Sequence, residues 1–135
     1  MTRLNTKYLG LPLRSPIVVS ACTLSENIDN ILRMEDAGAG AVVMFSMFEE
    51  QIRKEEAKMA SIMRSTTNVF AEASDFFPDL DEYHVATANY LETIRLAKER
   101  VHIPIIGSLN GITPQGWIDY ARQLEQAGAD ALEVN

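Results

Sequence analysis

Four compact apolar runs punctuate the chain, separated by amphipathic stretches. The first, Ile17-Val18-Val19-Ser20-Ala21, is β-branched and free of charge, the pattern of a strand buried on both faces of a parallel sheet. The second is Ala41-Val42-Val43-Met44, the third Ile103-Pro104-Ile105-Ile106-Gly107-Ser108 and the fourth Ala131-Leu132-Glu133-Val134-Asn135. Between the first two, Ile28, Ile31, Leu32 and Met34 fall on one helical stripe, with Ser25 as the expected N-cap and Gly38 as the stop. Strand, helix, strand is one βαβ unit. A further helix is expected over residues 81–100, with Tyr90, Leu91, Ile94 and Ala97 on its inner side. Thr113-Pro114 opens another, a capping hydroxyl followed by proline at the first helical position, and Trp117, Tyr120, Ala121, Leu124 and Ala127 continue it. Ahead of all this, residues 8–13 alternate mildly around Gly10 and Pro12, which suits a short hairpin or cap.

One internal echo organises the pattern. Residues 37–44 and 127–134 share an Ala-Gly-Ala-x-Ala frame, each a helix end, a glycine cap and a strand start. The intervening chain accommodates two βα units and one long insert near the site, expected over residues 45–80. The fold class that follows is α/β, built from parallel (β/α) units.

Charge and composition narrow the function classes. Nineteen acids against twelve bases give a net charge of −7, which argues against a nucleic-acid binder, whose basic face must displace counterions from phosphates. No apolar run approaches the roughly 20 residues of a membrane span, and the N-terminus carries no signal-peptide core, so no membrane partner and a cytoplasmic location are expected. The single cysteine, Cys22, cannot form an internal disulfide.

Two parallel architectures compete at 135 residues. A doubly wound sheet could be complete, but no G-x-G-x-x-G follows the first run and no Walker lysine motif occurs. A TIM (β/α)8 barrel needs roughly 200 to 400 residues, so four strands make half of one. The chain ends on the last residue of its fourth run, where a barrel places functional positions. The expectation is one partial domain over residues 1–135, the N-terminal half of a TIM barrel truncated after strand four.

Residues 4–21, residues 37–51 and the pair of stretches 105–111 and 128–135 together resemble dihydroorotate dehydrogenases, especially the soluble dihydroorotate dehydrogenase-like branch. The resemblance covers nearly the whole chain in order. It implies a (β/α)8 barrel that holds FMN at the carboxyl ends of its strands. A small pyrimidine-type substrate then loses a proton to a loop base and a hydride to flavin N5. Residue by residue, it implies flavin contacts at Ser20 and Ala21 after the first strand, at Ser46 after the second, and at Asn135, which would touch both flavin and substrate. The catalytic base of the family falls beyond Asn135. Phe45 stands where the family has a lysine, and the family's substrate loop falls on residues 73–78, Ala73-Ser74-Asp75-Phe76-Phe77-Pro78. Both depart from the family pattern and bear on orotate recognition.

The remaining chemistry-bearing residues read as structural. Cys22 lies after the first strand and is expected as a small core or loop residue. His84 and His102 lack a metal-site carboxylate pattern, and the charged run 49–56 reads as a solvated helix face with opposite charges in register. Trp117 and Tyr120 read as helix packing. The leading reading is half of an FMN-dependent oxidoreductase. The alternative is a non-catalytic half-barrel, or a subunit that depends on a homo-oligomeric partner or a missing C-terminal half to cover its open edges.

Overall fold

The computed structural model describes residues 4–67 and 85–135. It opens on an antiparallel hairpin, β1 (Thr6–Tyr8) and β2 (Leu11–Leu13), joined by Leu9 and Gly10. Both loop residues have positive φ, 52° and 80°, the sign pattern of the type I′ turn that matches strand twist. Four strands then form one parallel sheet in sequential order: β3 (Val18–Val19), β4 (Ala41–Phe48), β5 (Ile105–Asn110) and β6 (Ala131–Val134). The connecting helices are α1 (Ile28–Asp36), α2 (Glu49–Thr67), α3 (Val85–Arg100) and α4 (Pro114–Ala127). The α/β class and the parallel sheet expected from the apolar runs are present.

The two sheet faces differ. Val42, Met44, Ile105 and Leu109 point into a core with Ile31, Tyr90, Ile94, Ala97 and Leu124 from α1, α3 and α4, and Ile52 of α2 packs against it. Ala41, Val43 and Ile106 face the other way, where Leu13 of the hairpin covers them. Among the described residues every helix therefore packs on one face, and the strands run in chain order without reversal. A doubly wound sheet has helices on both faces and reverses its strand order.

The 90-residue echo is one structural device used twice. Gly38 and Gly128 each have φ of +99°. Gly38 N–H donates to the Glu35 carbonyl and Ala39 N–H to that of Met34, both at 3.0 Å. Gly128 N–H donates to Glu125 at 3.0 Å and Ala129 N–H to Leu124 at 3.1 Å, the same paired bonds of a Schellman C-cap. One residue further, Gly40 N–H donates to the Ile17 carbonyl at 2.7 Å and Asp130 N–H to that of Ile105 at 2.8 Å. Each cap thus hands the chain to the preceding strand in the same register. Position 40 must be glycine, because a Cβ there would meet the Ser15 carbonyl oxygen. Position 130 has room for a carboxylate, which accepts Ile105 N–H at 2.8 Å and binds Lys98 Nζ at 2.7 Å.

Four local expectations change. Ser25 does not cap α1: it sits fully buried in a 3-10 turn (Thr23–Glu26), donating to the Cys22 carbonyl and accepting from Phe45 N–H at 2.7 Å. Asn27 caps the helix, accepting from Asp29 N–H at 2.8 Å. The first apolar run yields only a two-residue, half-buried strand, because β3 pairs on one side alone and Ile17 remains 64% exposed. The second run extends to Phe48, since residues 46–48 pair with 108–110 of β5. The described part of the expected insert 45–80 is therefore the end of β4 followed by α2. The expected start of α3 at residue 81, the 73–78 stretch and His84 lie outside the described residues.

Candidate functional site

In a parallel sheet the carboxyl ends of the strands share one edge, and loop residues gather there. The site starts from an irregularity in β4. Val43 pairs with Ile106 and Ser46 with Ser108, so β4 spends three residues where β5 spends two. In a regular strand, residues 43 and 46 would point to opposite faces. The bulge returns Ser46 to the side of Val43 and Ile106, away from the helices.

Ser46 there meets a row of polar groups. Its Oγ lies 2.9 Å from Ser108 Oγ, Ser108 Oγ donates to Glu133 Oε1 at 3.0 Å, and Asn135 Nδ2 donates to the same oxygen at 3.1 Å. Three consecutive strands, β4, β5 and β6, thus contribute to one hydrogen-bonded chain across their carboxyl ends. Two of the sequence-expected residues, Ser46 and Asn135, are its two ends. The two linking residues, Ser108 and Glu133, escaped the sequence reading. Alternation along β5 and β6 was the available signal: Ile106 and Ser108 share a face, as do Ala131 and Glu133.

The bulge also leaves a gap beside Ser108, which Tyr90 of α3 fills. Its hydroxyl donates to the Ser108 carbonyl at 3.3 Å and accepts from the Ser108 N–H at 3.1 Å. One phenol satisfies both backbone groups of a fully buried strand residue. Burial pushes the Tyr90 hydroxyl up to about 12; the Ser108 backbone bond opposes this and the Glu133 charge adds to it. Tyr90 therefore stays protonated and keeps its donor. Phe45 meets the Tyr90 ring edge-to-face, centroids 4.6 Å apart and planes at 68°. Phe45, where the resemblance implies a lysine, consequently points into the helix layer, on the opposite side of β4 from Ser46.

A depression of about 550 Å³ lies on the helix-free face, between the hairpin and the strands. Val18, Val43 and Ile106 give it an apolar floor, and Ser20, Glu133 and Lys7 add polar groups. Ser20, after β3, and Glu133, on β6, line it from the two edges of the sheet. Ala21 is half-buried against the cluster of Leu13, Ala41, Val43 and Ile106, so its side chain packs. Cys22 is half-buried, and among the described residues no three potential metal ligands cluster.

A second polar centre lies on the helix side. Glu49, expected on a solvated face, is buried at 2% exposure. Its carboxylate accepts from Ile112 N–H at 2.6 Å, Thr113 N–H at 3.0 Å and Thr113 Oγ1 at 2.6 Å, with Arg53 Nη1 at 3.6 Å. Burial pushes the Glu49 carboxyl up, but the Thr113 hydroxyl, the two backbone N–H groups and Arg53 outweigh it and hold it below its ordinary value. Thr113 itself caps α4 by accepting from Gly116 N–H at 3.0 Å. Glu49 thus pins the loop that follows β5 to the start of α2. Its neighbour Glu50 behaves as the charge pattern implied, pairing with Lys54 at 2.6 Å.

Among the described residues no helix is long and apolar enough to cross a membrane. No family model matches the chain. Over all 135 residues it is 28% identical to the protein named dihydroorotate dehydrogenase B (NAD(+)), catalytic subunit, of Thermoplasma acidophilum, and it spans 42% of that protein's length. From end to end, the chain is therefore similar in sequence to a dihydroorotate dehydrogenase catalytic subunit, in keeping with the resemblance its own motifs carry.

Proposed function

We propose that this chain forms the N-terminal half, through the fourth strand, of a (β/α)8 barrel in an FMN-dependent, dihydroorotate dehydrogenase-like oxidoreductase. The observation that carries the reading is the row Ser46–Ser108–Glu133–Asn135 at the carboxyl ends of adjacent parallel strands, beside an apolar floor. Sequential strand order with helices on one face supports the barrel, because a barrel is a singly wound sheet. A flavin ring requires a broad apolar shelf and a few polar groups at its edge, and Val18, Val43 and Ile106 with Ser20, Ser46 and Asn135 suit that need.

In this reading Ser46, Ser20 and Asn135 hold the flavin, and Asn135 also reaches substrate. FMN, when bound, supplies the hydride acceptor. The chain's own residues orient and exclude water: Tyr90 fixes the β5 backbone, Glu133 fixes Asn135, and the hairpin closes the apolar floor. The proton-abstracting base is assigned to chain beyond Asn135, in keeping with the family resemblance. The chemistry is the oxidation of a CH–CH bond in a small pyrimidine-type substrate, at a cytoplasmic location.

The test is anaerobic mixing of the protein isolated from its source with dihydroorotate. Bleaching of the flavin's visible absorption on the turnover timescale is expected. A flavin that stays oxidised overturns the substrate assignment, and a colourless protein overturns the cofactor.

A further inference from the structure

We infer that Glu133 sets the hydrogen-bond polarity at Ser46: it turns Ser46 into a pure acceptor and orients the Asn135 amide, so the Ser46 end of the row selects a ligand group that donates N–H or O–H. The inference rests on the flavoprotein reading only for the identity of the probe.

A carboxylate has acceptors and no donors. Glu133 Oε1 lies 3.0 Å from Ser108 Oγ and 3.1 Å from Asn135 Nδ2, so both partners must donate to it. Ser108 has one hydroxyl proton, and that proton is spent on Glu133. The 2.9 Å contact between Ser108 Oγ and Ser46 Oγ then has one possible direction, with Ser46 donating. Ser46 has no proton left for a ligand and presents only lone pairs. At the other end, one N–H of the Asn135 amide is held by Glu133, which orients the amide, turns Oδ1 the other way and leaves the second N–H for another acceptor.

Nothing nearby reverses this. The other hydroxyl at the row, Tyr90, gives its proton to the Ser108 carbonyl and accepts from the Ser108 N–H, so it does not compete for either serine oxygen. Ser108 is fully buried, so its own hydroxyl has no water to turn to instead of Glu133. The consequence is specificity: a ligand edge of carbonyl or ring-nitrogen acceptors faces lone pairs at Ser46, whereas an N–H edge such as that of a cyclic imide is matched. A donor–acceptor mismatch in a desolvated site costs about ten-fold or more in affinity.

The experiment has two readouts. In the amide spectrum of the isotope-labelled chain, one Asn135 side-chain proton is expected to be shifted downfield of its geminal partner. Glu133→Leu, which removes both acceptor oxygens, abolishes that signature, whereas Ser108→Ala preserves it, since that change cuts only the branch to Ser46. FMN binding, followed by fluorescence quenching, is then measured for Ser46→Ala, Glu133→Leu and the double variant. Glu133→Leu is expected to weaken binding about ten-fold, and in the Ser46→Ala background by clearly less, because part of its effect passes through Ser46. Fully additive losses, or an Asn135 amide indifferent to Glu133→Leu, overturn the inference. An intact amide signature with no FMN quenching by the wild-type protein sustains the polarity and overturns the flavin reading instead.

Discussion

The Glu49 carboxylate holds Thr113 by both its hydroxyl, at 2.6 Å, and its backbone N–H, at 3.0 Å, across 64 residues of chain. A charged acceptor satisfying three donors in a buried setting is strongly held, and replacing it leaves those donors unmatched. Glu49→Gln is expected to destabilise the fold by about 1–3 kcal/mol. The pH dependence has a definite sign. Because the folded-state carboxyl titrates below its ordinary value of 4.5, its stabilisation is full above that value and is lost as pH falls through the folded value. Thermal melts of both proteins should differ most at neutral pH and converge as pH falls through the folded-state value. A gap that widens on acidification contradicts the assignment.

Gly116 faces the same carboxylate. A Cβ at this position would collide with the Glu49 carboxyl group, which is pinned by its three bonds and cannot swing aside freely. Gly116→Ala should cost about 1–3 kcal/mol in the wild-type background and clearly less in Glu49→Ala, where the obstacle is gone. Denaturant melts of the four proteins measure this coupling, and equal costs in the two backgrounds refute it.

Gly38 and Gly128 share a φ of +99° and have no close neighbour that a Cβ would strike. The penalty of alanine is therefore backbone strain alone, about 1–2 kcal/mol at each site, and of similar size at both. Melting temperatures of the two single variants test whether the repeated caps are equivalent.

These positions also show what sequence could and could not reveal. The Ala-Gly-Ala-x-Ala echo was legible because a Schellman cap is local chemistry, contained within six residues. Thr113-Pro114 was legible for the same reason, and Thr113 does cap α4. Ser25 was misplaced because its partner, Phe45 N–H, is 20 residues away, while Asn27 offers the nearer cap. Glu49 was hidden more thoroughly. It opens a run whose next charged residues do form i,i+4 pairs, and only the fold brings Ile112 and Thr113 to it. At the site, Ser46 and Asn135 came from family resemblance, whereas Ser108 and Glu133 required the bulge in β4 and the register of β6 to be seen.

Tyr90 offers a test of the bulge itself. Tyr90→Phe keeps the ring and its contact with Phe45 but strips the hydroxyl from Ser108 N–H and C=O. The loss should be about 1–3 kcal/mol, the cost of unsatisfied buried backbone groups. Hydrogen exchange is the sharper measurement: the Ser108 amide should lose protection while Ile106, paired beyond the bulge, keeps most of its own. Uniform loss across β5 contradicts a local role.

The central claim is that the carboxyl ends of these strands hold a flavin. The most direct measurement is a fluorescence titration of FMN with the protein, compared with the Asn135→Ala variant. Saturable quenching that Asn135→Ala weakens by about ten-fold, with the melting temperature unchanged, is the expected result. Absence of quenching by the wild-type protein, or equal affinity in the variant, contradicts the account.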